Sequence, residues 1–266
     1  MYLSFFFRNF APNMEENKIS VVINTYNAEE HLQPVLDSVK EFDEVLICDM
    51  ESTDGTLDIA RRNGCRIVTF PKANHKSAEP ARTFAIQSAR FKWVLVVDAD
   101  ELISAELRHY LYERIQDADC PAGLYLFRRN KFIGKYGRDW SHDYQLRFFI
   151  REGTVWPPYV HTFPEVQGRV ERAPAKYAIV HLADETIRHW VTKMNEYTDN
   201  EVDKKADRHY GLCALFLRPL WRFLRNYLLM GGFMNGKRGL LQAMQWALYQ
   251  QVMVMKIIER KLRSEL

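Results

Sequence analysis

Asp98, Ala99 and Asp100 follow directly on the apolar run Trp93-Val94-Leu95-Val96-Val97. Side chains alternate along an extended segment, so the two carboxylates share one face and can reach one ligand. Placed together they repel unless a counter-charge joins them. A divalent cation supplies it, and Mg2+ or Mn2+ prefers hard carboxylate and phosphate oxygens. A solvated strand-to-helix turn with an N-cap aspartate has the same composition, and Asp-x-Asp alone does not separate the two.

Two further apolar runs end in polar clusters. Residues 19–24 (ISVVIN) lead into Thr25-Tyr26-Asn27, and residues 44–48 (EVLIC) lead into Asp49-Met50-Glu51-Ser52-Thr53-Asp54-Gly55. In open α/β sheets, ligands bind beyond the carboxyl ends of the strands. Three such ends point to one shared site. No P-loop or GxGxxG occurs, so bound phosphates are not cradled by a glycine loop.

The elements that position these ends follow from periodicity. The β-branched run at 19–24 reads as a buried parallel strand. Leu32, Val35, Leu36 and Val39 recur at helical spacing within 28–42. A second strand at 44–48, a short helix capped by Ser52 or Thr53 and ending near Gly64, a third strand at 66–70, a helix at 77–90 and a fourth strand at 93–97 complete the alternation. Short connections between alternating strands and helices specify an α/β layered domain with a mostly parallel central sheet. Beyond Glu101 the rhythm changes. A helix at 104–117, antiparallel strands at 123–136 and 144–151, and a proline-marked loop at 157–164 are expected. From Thr186 the chain reads as helix to its end, broken near Pro219 and Gly231-Gly232. The expected division is an extension at 1–17, a catalytic domain at 18–185 and a helical region at 186–266. Met14 lies just before the first strand, so residues 1–13 read as dispensable.

Length and composition agree with a folded chain. The 266 residues are 47% hydrophobic and 27% charged, enough for a sizeable core and unlike a disordered chain. A net charge of +3 makes no case for nucleic acid. Residues 209–266, however, hold nine lysines and arginines against two glutamates, so a mildly acidic body carries a basic, apolar tail. Cys48, Cys65, Cys120 and Cys213 form neither a zinc pair nor a CxxC pair, and scattered thiols suit a reducing cytoplasmic setting.

Taken together the motifs carry a resemblance. Ser20-Val21-Val22-Ile23-Asn24-Thr25-Tyr26-Asn27, Asp49 through Ser52-Thr53-Asp54-Gly55-Thr56, Glu79-Pro80-Ala81-Arg82 and the run 93–101 resemble glycosyltransferase family 2, with the GT-A fold, in order and interval. Residues 144–151 (YQLRFFIR), Val160-His161, Val180-His181 and the segment 231–236 resemble its lipopolysaccharide-core branch, which more often has Asp where this chain has Asn235. The resemblance implies an inverting enzyme that moves a hexose from a UDP-sugar to a lipid-linked glycan. Thr25 and Asn27 would line the nucleotide pocket, Asp49 would meet uracil or ribose, and Arg82 would neutralise pyrophosphate. Asp98 would sit near ribose and metal, and Asp100 would ligate Mg2+ or Mn2+. His181, at a strand end, could reach the metal or pyrophosphate. One general base is needed to deprotonate the acceptor hydroxyl. The branch carries an acid right after its first histidine, but Thr162 follows His161 here, so the candidates are Glu165 and then Asp143.

The tail has no run of about 20 apolar residues that could span a bilayer. Arg218, Arg222 and Arg225 fall at i, i+4 and i+7, so this helix could rest on an anionic membrane surface, or pack on the catalytic domain with its arginines in water. A peripheral position on the inner face of the cytoplasmic membrane follows from the first reading. The competing functions are a nucleotidyltransferase, which would be expected to carry a glycine-rich basic loop after its first strand, and a non-catalytic scaffold that kept the fold.

Overall fold

The computed structural model describes residues 17–75, 78–136, 143–158, 162–184, 186–205 and 210–265. The expected extension, save its last residue, and the Val160-His161 step lie outside them. The described chain forms two compact units. One holds the residues up to Arg129 and from Asp143 to Leu182, and the other holds Asn130 to Tyr136 and the described residues from Ala183 onward.

The first unit is built on strands β1 (Ile19–Thr25), β2 (Glu44–Asp49), β3 (Arg66–Thr69) and β4 (Trp93–Asp98), with helices α1 (Glu29–Val39), α2 (Thr56–Arg62) and α3 (Glu79–Ser88) between them. Next come β5 (Glu101–Ile103), α4 (Ala105–Gln116) and β6 (Gly123–Arg129). After a hairpin that belongs to the second unit, β7 (Lys131–Phe132) with β8 (Lys135–Tyr136), the sheet resumes with β9 (Tyr144–Ile150), β10 (Val170–Arg172) and β11 (Ala178–His181). The strand order is β3-β2-β1-β4-β9-β6-β11-β5, with β10 also beside β6. The first four strands are parallel, and β9 enters antiparallel between β4 and β6. This is the layered α/β sheet that the alternation predicts.

β1 is buried along its whole length, which is why it reads as a continuous apolar run instead of an alternating one. Its two faces feed two cores. Val21 and Ile23 pack with Leu32, Leu36, Leu107 and Leu111. Val22 packs with Ala81, Ala85 and Ile86 on the opposite face. Register then aligns the strand ends: Asn24 pairs with Cys48 on one side and Asp98 on the other, and Thr25 pairs with Asp49.

The second unit contains α5 (Ile187–Lys204), α6 (Ala214–Leu224), a π-helical turn at Arg225–Leu229, a 3-10 turn at Gly232–Asn235 and α7 (Gly236–Ser264). Val202, Met253, Val254 and Ile257 form its small core. The Lys256 ammonium joins α7 to α5 by donating to Asn195 O and to the side chains of Thr198 and Asp199. Contrary to the expected break, Pro219 lies inside α6 and is buried. Its missing N–H removes one helical bond, and burial of its ring offsets that loss. The discontinuity comes later, where Gly231 adopts φ 73°, a conformation that suits glycine. Gly239 has a separate reason to be glycine: a Cβ there would lie 1.8 Å from the Gly232 carbonyl oxygen.

Candidate active site

A cavity of about 420 Å³ opens at the aligned strand ends, lined among others by Asn24, Thr25, Tyr26, Asn27, Lys72 and Asp100. Its floor is cross-linked. Asp49 is almost fully buried. Its carboxylate accepts from Thr25 Oγ1 at 2.8 Å, Ser52 Oγ at 2.6 Å and Ser52 N at 2.9 Å. Asn27, at φ 48°, accepts from Thr53 N at 2.8 Å and donates its own N–H to Ser52 Oγ at 2.9 Å. Ser52 and Thr53 therefore tie the β1 and β2 loops together. They do not cap α2, whose Thr56 N–H is met by Asp54 at 3.0 Å. Asp49, expected to face the nucleotide, is not among the residues lining the cavity, and these hydrogen bonds hold its carboxylate to both loops. Asn24 does line it. That side chain is only 8% exposed, and neither its amide nitrogen nor its oxygen has a partner, an arrangement that calls for a ligand or water.

Beneath the cavity runs a buried ionic cluster. Asp98 accepts from Arg82 Nη2 at 2.8 Å and from both terminal nitrogens of Arg147. Glu101, with no exposure, accepts from Asp98 N at 3.0 Å and lies 3.4 Å from Arg128 and 3.5 Å from Arg147. Trp156 stacks on the guanidinium of Arg82 at 4.5 Å. Burial alone would raise the Asp98 carboxyl, but the charges and hydrogen bonds of Arg147 and Arg82 outweigh it and hold it far below the usual carboxylate range. Arg82, expected at the pyrophosphate, is buried and pairs with Asp98 through Nη2, while its Nε and Nη1 have no hydrogen-bond partner. Asp98, expected also as a metal ligand, has its two oxygens engaged by arginines. The Cys48 thiol is pushed up to about 12 by burial and then by Asp49, so it is no nucleophile at neutral pH.

Asp100 is free of that cluster. Its Oδ2 lies 3.1 Å from His181 Nε2, a residue 81 positions away. The antiparallel pairing of β11 with β5, which sets His181 opposite Glu101, brings them together. The two base candidates differ. Asp143 is held by Arg128 Nε at 2.9 Å and Gln145 at 2.6 Å. Glu165 is exposed, with its backbone bridged to Val155. Neither lines the cavity.

Sequence reasoning missed Asn24, Lys72, Arg147 and Trp156 as site residues. Arg147 carried a signal: a cation inside Leu146-Arg147-Phe148-Phe149 must find a buried anion. Lys72, whose ammonium lies 4.8 Å over the Tyr26 ring, carried none.

Helices on both faces of the sheet, with a cavity and an Asp-x-Asp step at the strand ends, define a GT-A type transferase. The chain belongs to glycosyl transferase family 2, whose model matches residues 20–175. It is 26% identical over 264 residues to the lipopolysaccharide core biosynthesis glycosyltransferase LpsC of Rhizobium meliloti, covering 91% of this chain and 92% of that protein. A poly(ribitol-phosphate) beta-glucosyltransferase of Bacillus spizizenii is 32% identical over 118 residues, 40% of this chain and 19% of that protein. The crystal structure of S. aureus TarS 1-349 superposes with a TM-score of 0.50 at 15% identity, covering 91% of each chain. At that identity the likeness bears on the fold alone.

Proposed function

We propose that this glycosyltransferase moves a hexose, with inversion, from a UDP-sugar to a lipid-linked glycan such as a lipopolysaccharide core. The Asp100–His181 pair beside the cavity carries the reading. The Asp100 carboxylate is the hard oxygen ligand that Mg2+ or Mn2+ prefers, and His181 beside it would orient that carboxylate or add a nitrogen ligand. Among the described residues no group of three or more His, Cys, Asp or Glu could hold an ion unaided. Asp100 and His181 would hold the ion together with oxygens of the donor diphosphate. When bound, such an ion neutralises charge on the leaving nucleoside diphosphate.

The chain's own residues do the rest. Asn24 offers its unpaired amide to the nucleotide, and Thr25 and Asn27 shape the cavity wall. Arg82 and Arg147 hold Asp98 ionised and fix the backbone that presents Asp100. The acceptor oxygen attacks the anomeric carbon as the bond to the diphosphate oxygen breaks, and its proton passes to a general base, for which Glu165, outside the cavity lining, is the first candidate. Asp143 is the weaker base because Arg128 already holds its carboxylate.

Similarity to the Rhizobium core enzyme supports the acceptor class. A lipid-linked acceptor places the reaction at the cytoplasmic side of a membrane, and the arginines of α6 are the candidate contact with its anionic surface.

The test is donor turnover in Asp100→Asn, His181→Ala and the double variant, with and without chelator. Each single change should remove most metal-dependent turnover, and the double should be no worse than the weaker single. Full metal-dependent turnover in Asp100→Asn would sink the reading.

A further inference from the structure

The second unit presents an apolar surface that its own core leaves uncovered. On α6 and the turn after it, Phe216, Leu217, Leu220, Trp221, Leu224 and Leu228 are exposed, Phe216 at 72% and Trp221 at 59%. Their spacing puts them on one helical face, while Pro219 and Asn226 on the opposite side are buried. The neighbouring α7 adds exposed Leu240, Leu241, Met244 and Leu248. Large apolar side chains exposed together on one helical face mark an interaction site.

Charge identifies the occupant. From residue 210 to residue 258 the sequence holds six arginines and lysines and no aspartate or glutamate. Arg218 and Arg225 are exposed, and they flank the apolar face. Arg218 lies 4.8 Å over Tyr210, and Arg222 lies 5.1 Å over Trp246. The arginines therefore edge the surface and the apolar side chains form its centre. A second copy docked through the same face would set cations against cations. An anionic lipid surface satisfies both features.

We propose that this face docks on a membrane of anionic phospholipid, its Leu, Phe and Trp side chains entering the headgroup layer and its arginines meeting phosphates at the edge. Residues 214–229 are about 24 Å long at 1.5 Å per residue, short of the roughly 30 Å hydrocarbon core. No described helix is long and apolar enough to cross. The helix therefore lies in the interface plane.

The full chain is sedimented with phosphatidylcholine vesicles, with and without phosphatidylglycerol, at low and high salt. No donor or acceptor is present, so the result is independent of the transfer reaction. Binding to the anionic vesicles should exceed binding to the neutral ones and should weaken with salt. Changing Leu217, Leu220 and Trp221 together to Ser should lower affinity at least tenfold while the thermal melt and donor turnover stay unchanged. Changing Arg218, Arg222 and Arg225 to Gln should lower it roughly a hundredfold on anionic vesicles and hardly at all on neutral ones. Wild-type protein that ignores anionic vesicles at low salt overturns the proposal, whatever the variants do. So does undiminished binding by a folded Ser variant. A concentration-dependent dimer abolished by those serines, without vesicle binding, assigns the face to a second copy instead.

Discussion

Arg147 in β9 grips the carboxylate of Asp98 at the end of β4 with both terminal nitrogens, Nη1 donating to Oδ1 at 3.3 Å and Nη2 to Oδ2. The same guanidinium lies 3.5 Å from Glu101. An antiparallel strand thus delivers the counter-charge for the first carboxylate of the Asp-x-Asp step and leaves the second, Asp100, to the cavity and His181.

Arg147→Met should destabilise the fold by about 3 kcal/mol, because it leaves Glu101 and Asp98 short of a buried cation. Urea unfolding checks this. A loss within about 0.5 kcal/mol, the scale of an ordinary surface change, would show that Arg82 and Arg128 suffice.

Acid should erode the same contribution. The Asp98 carboxyl sits far below its unfolded value of about 3.9, so the stabilisation is fully present above that value and is lost as pH falls toward the folded one. The stability difference between wild type and Asp98→Asn should be constant from neutral pH to about pH 5 and shrink below about pH 4. A difference that grows on acidification contradicts the assignment.

Asn24→Leu separates ligand binding from stability. The amide has no protein partner, so its removal should leave the melting temperature unchanged or slightly raised. UDP affinity should fall about tenfold, the worth of one hydrogen bond. Calorimetric titration showing unchanged UDP binding would take Asn24 out of the site.

Gly239→Ala should destabilise by about 1–3 kcal/mol, the usual cost of overpacking, although alanine favours helix by about 1 kcal/mol. The new Cβ would meet the Gly232 carbonyl. A melt at or above the wild-type temperature would mean that the turn relaxes freely.

The sequence by itself determined the order of strands and helices through β4 and the convergence of three polar strand ends. Buried parallel strands read as continuous apolar runs, and polar residues at their ends have only one crevice to enter. It also determined the basic, apolar character of the tail, since composition is local. Tertiary structure alone decided which polar side chains contact one another. Asp49 also accepts hydrogen bonds from Thr25 and Ser52, contacts that the spacing of residues 24 positions and three positions away does not announce. Arg82 pairs with Asp98 through Nη2, a contact between α3 and the end of β4. His181 joins Asp100 across 81 residues only because β11 pairs with β5. Pro219 looks like a break, yet α6 runs through it. Hydrogen bonding and ion pairing are settled by distances of a few ångströms between segments far apart in the chain, and linear spacing does not encode those distances.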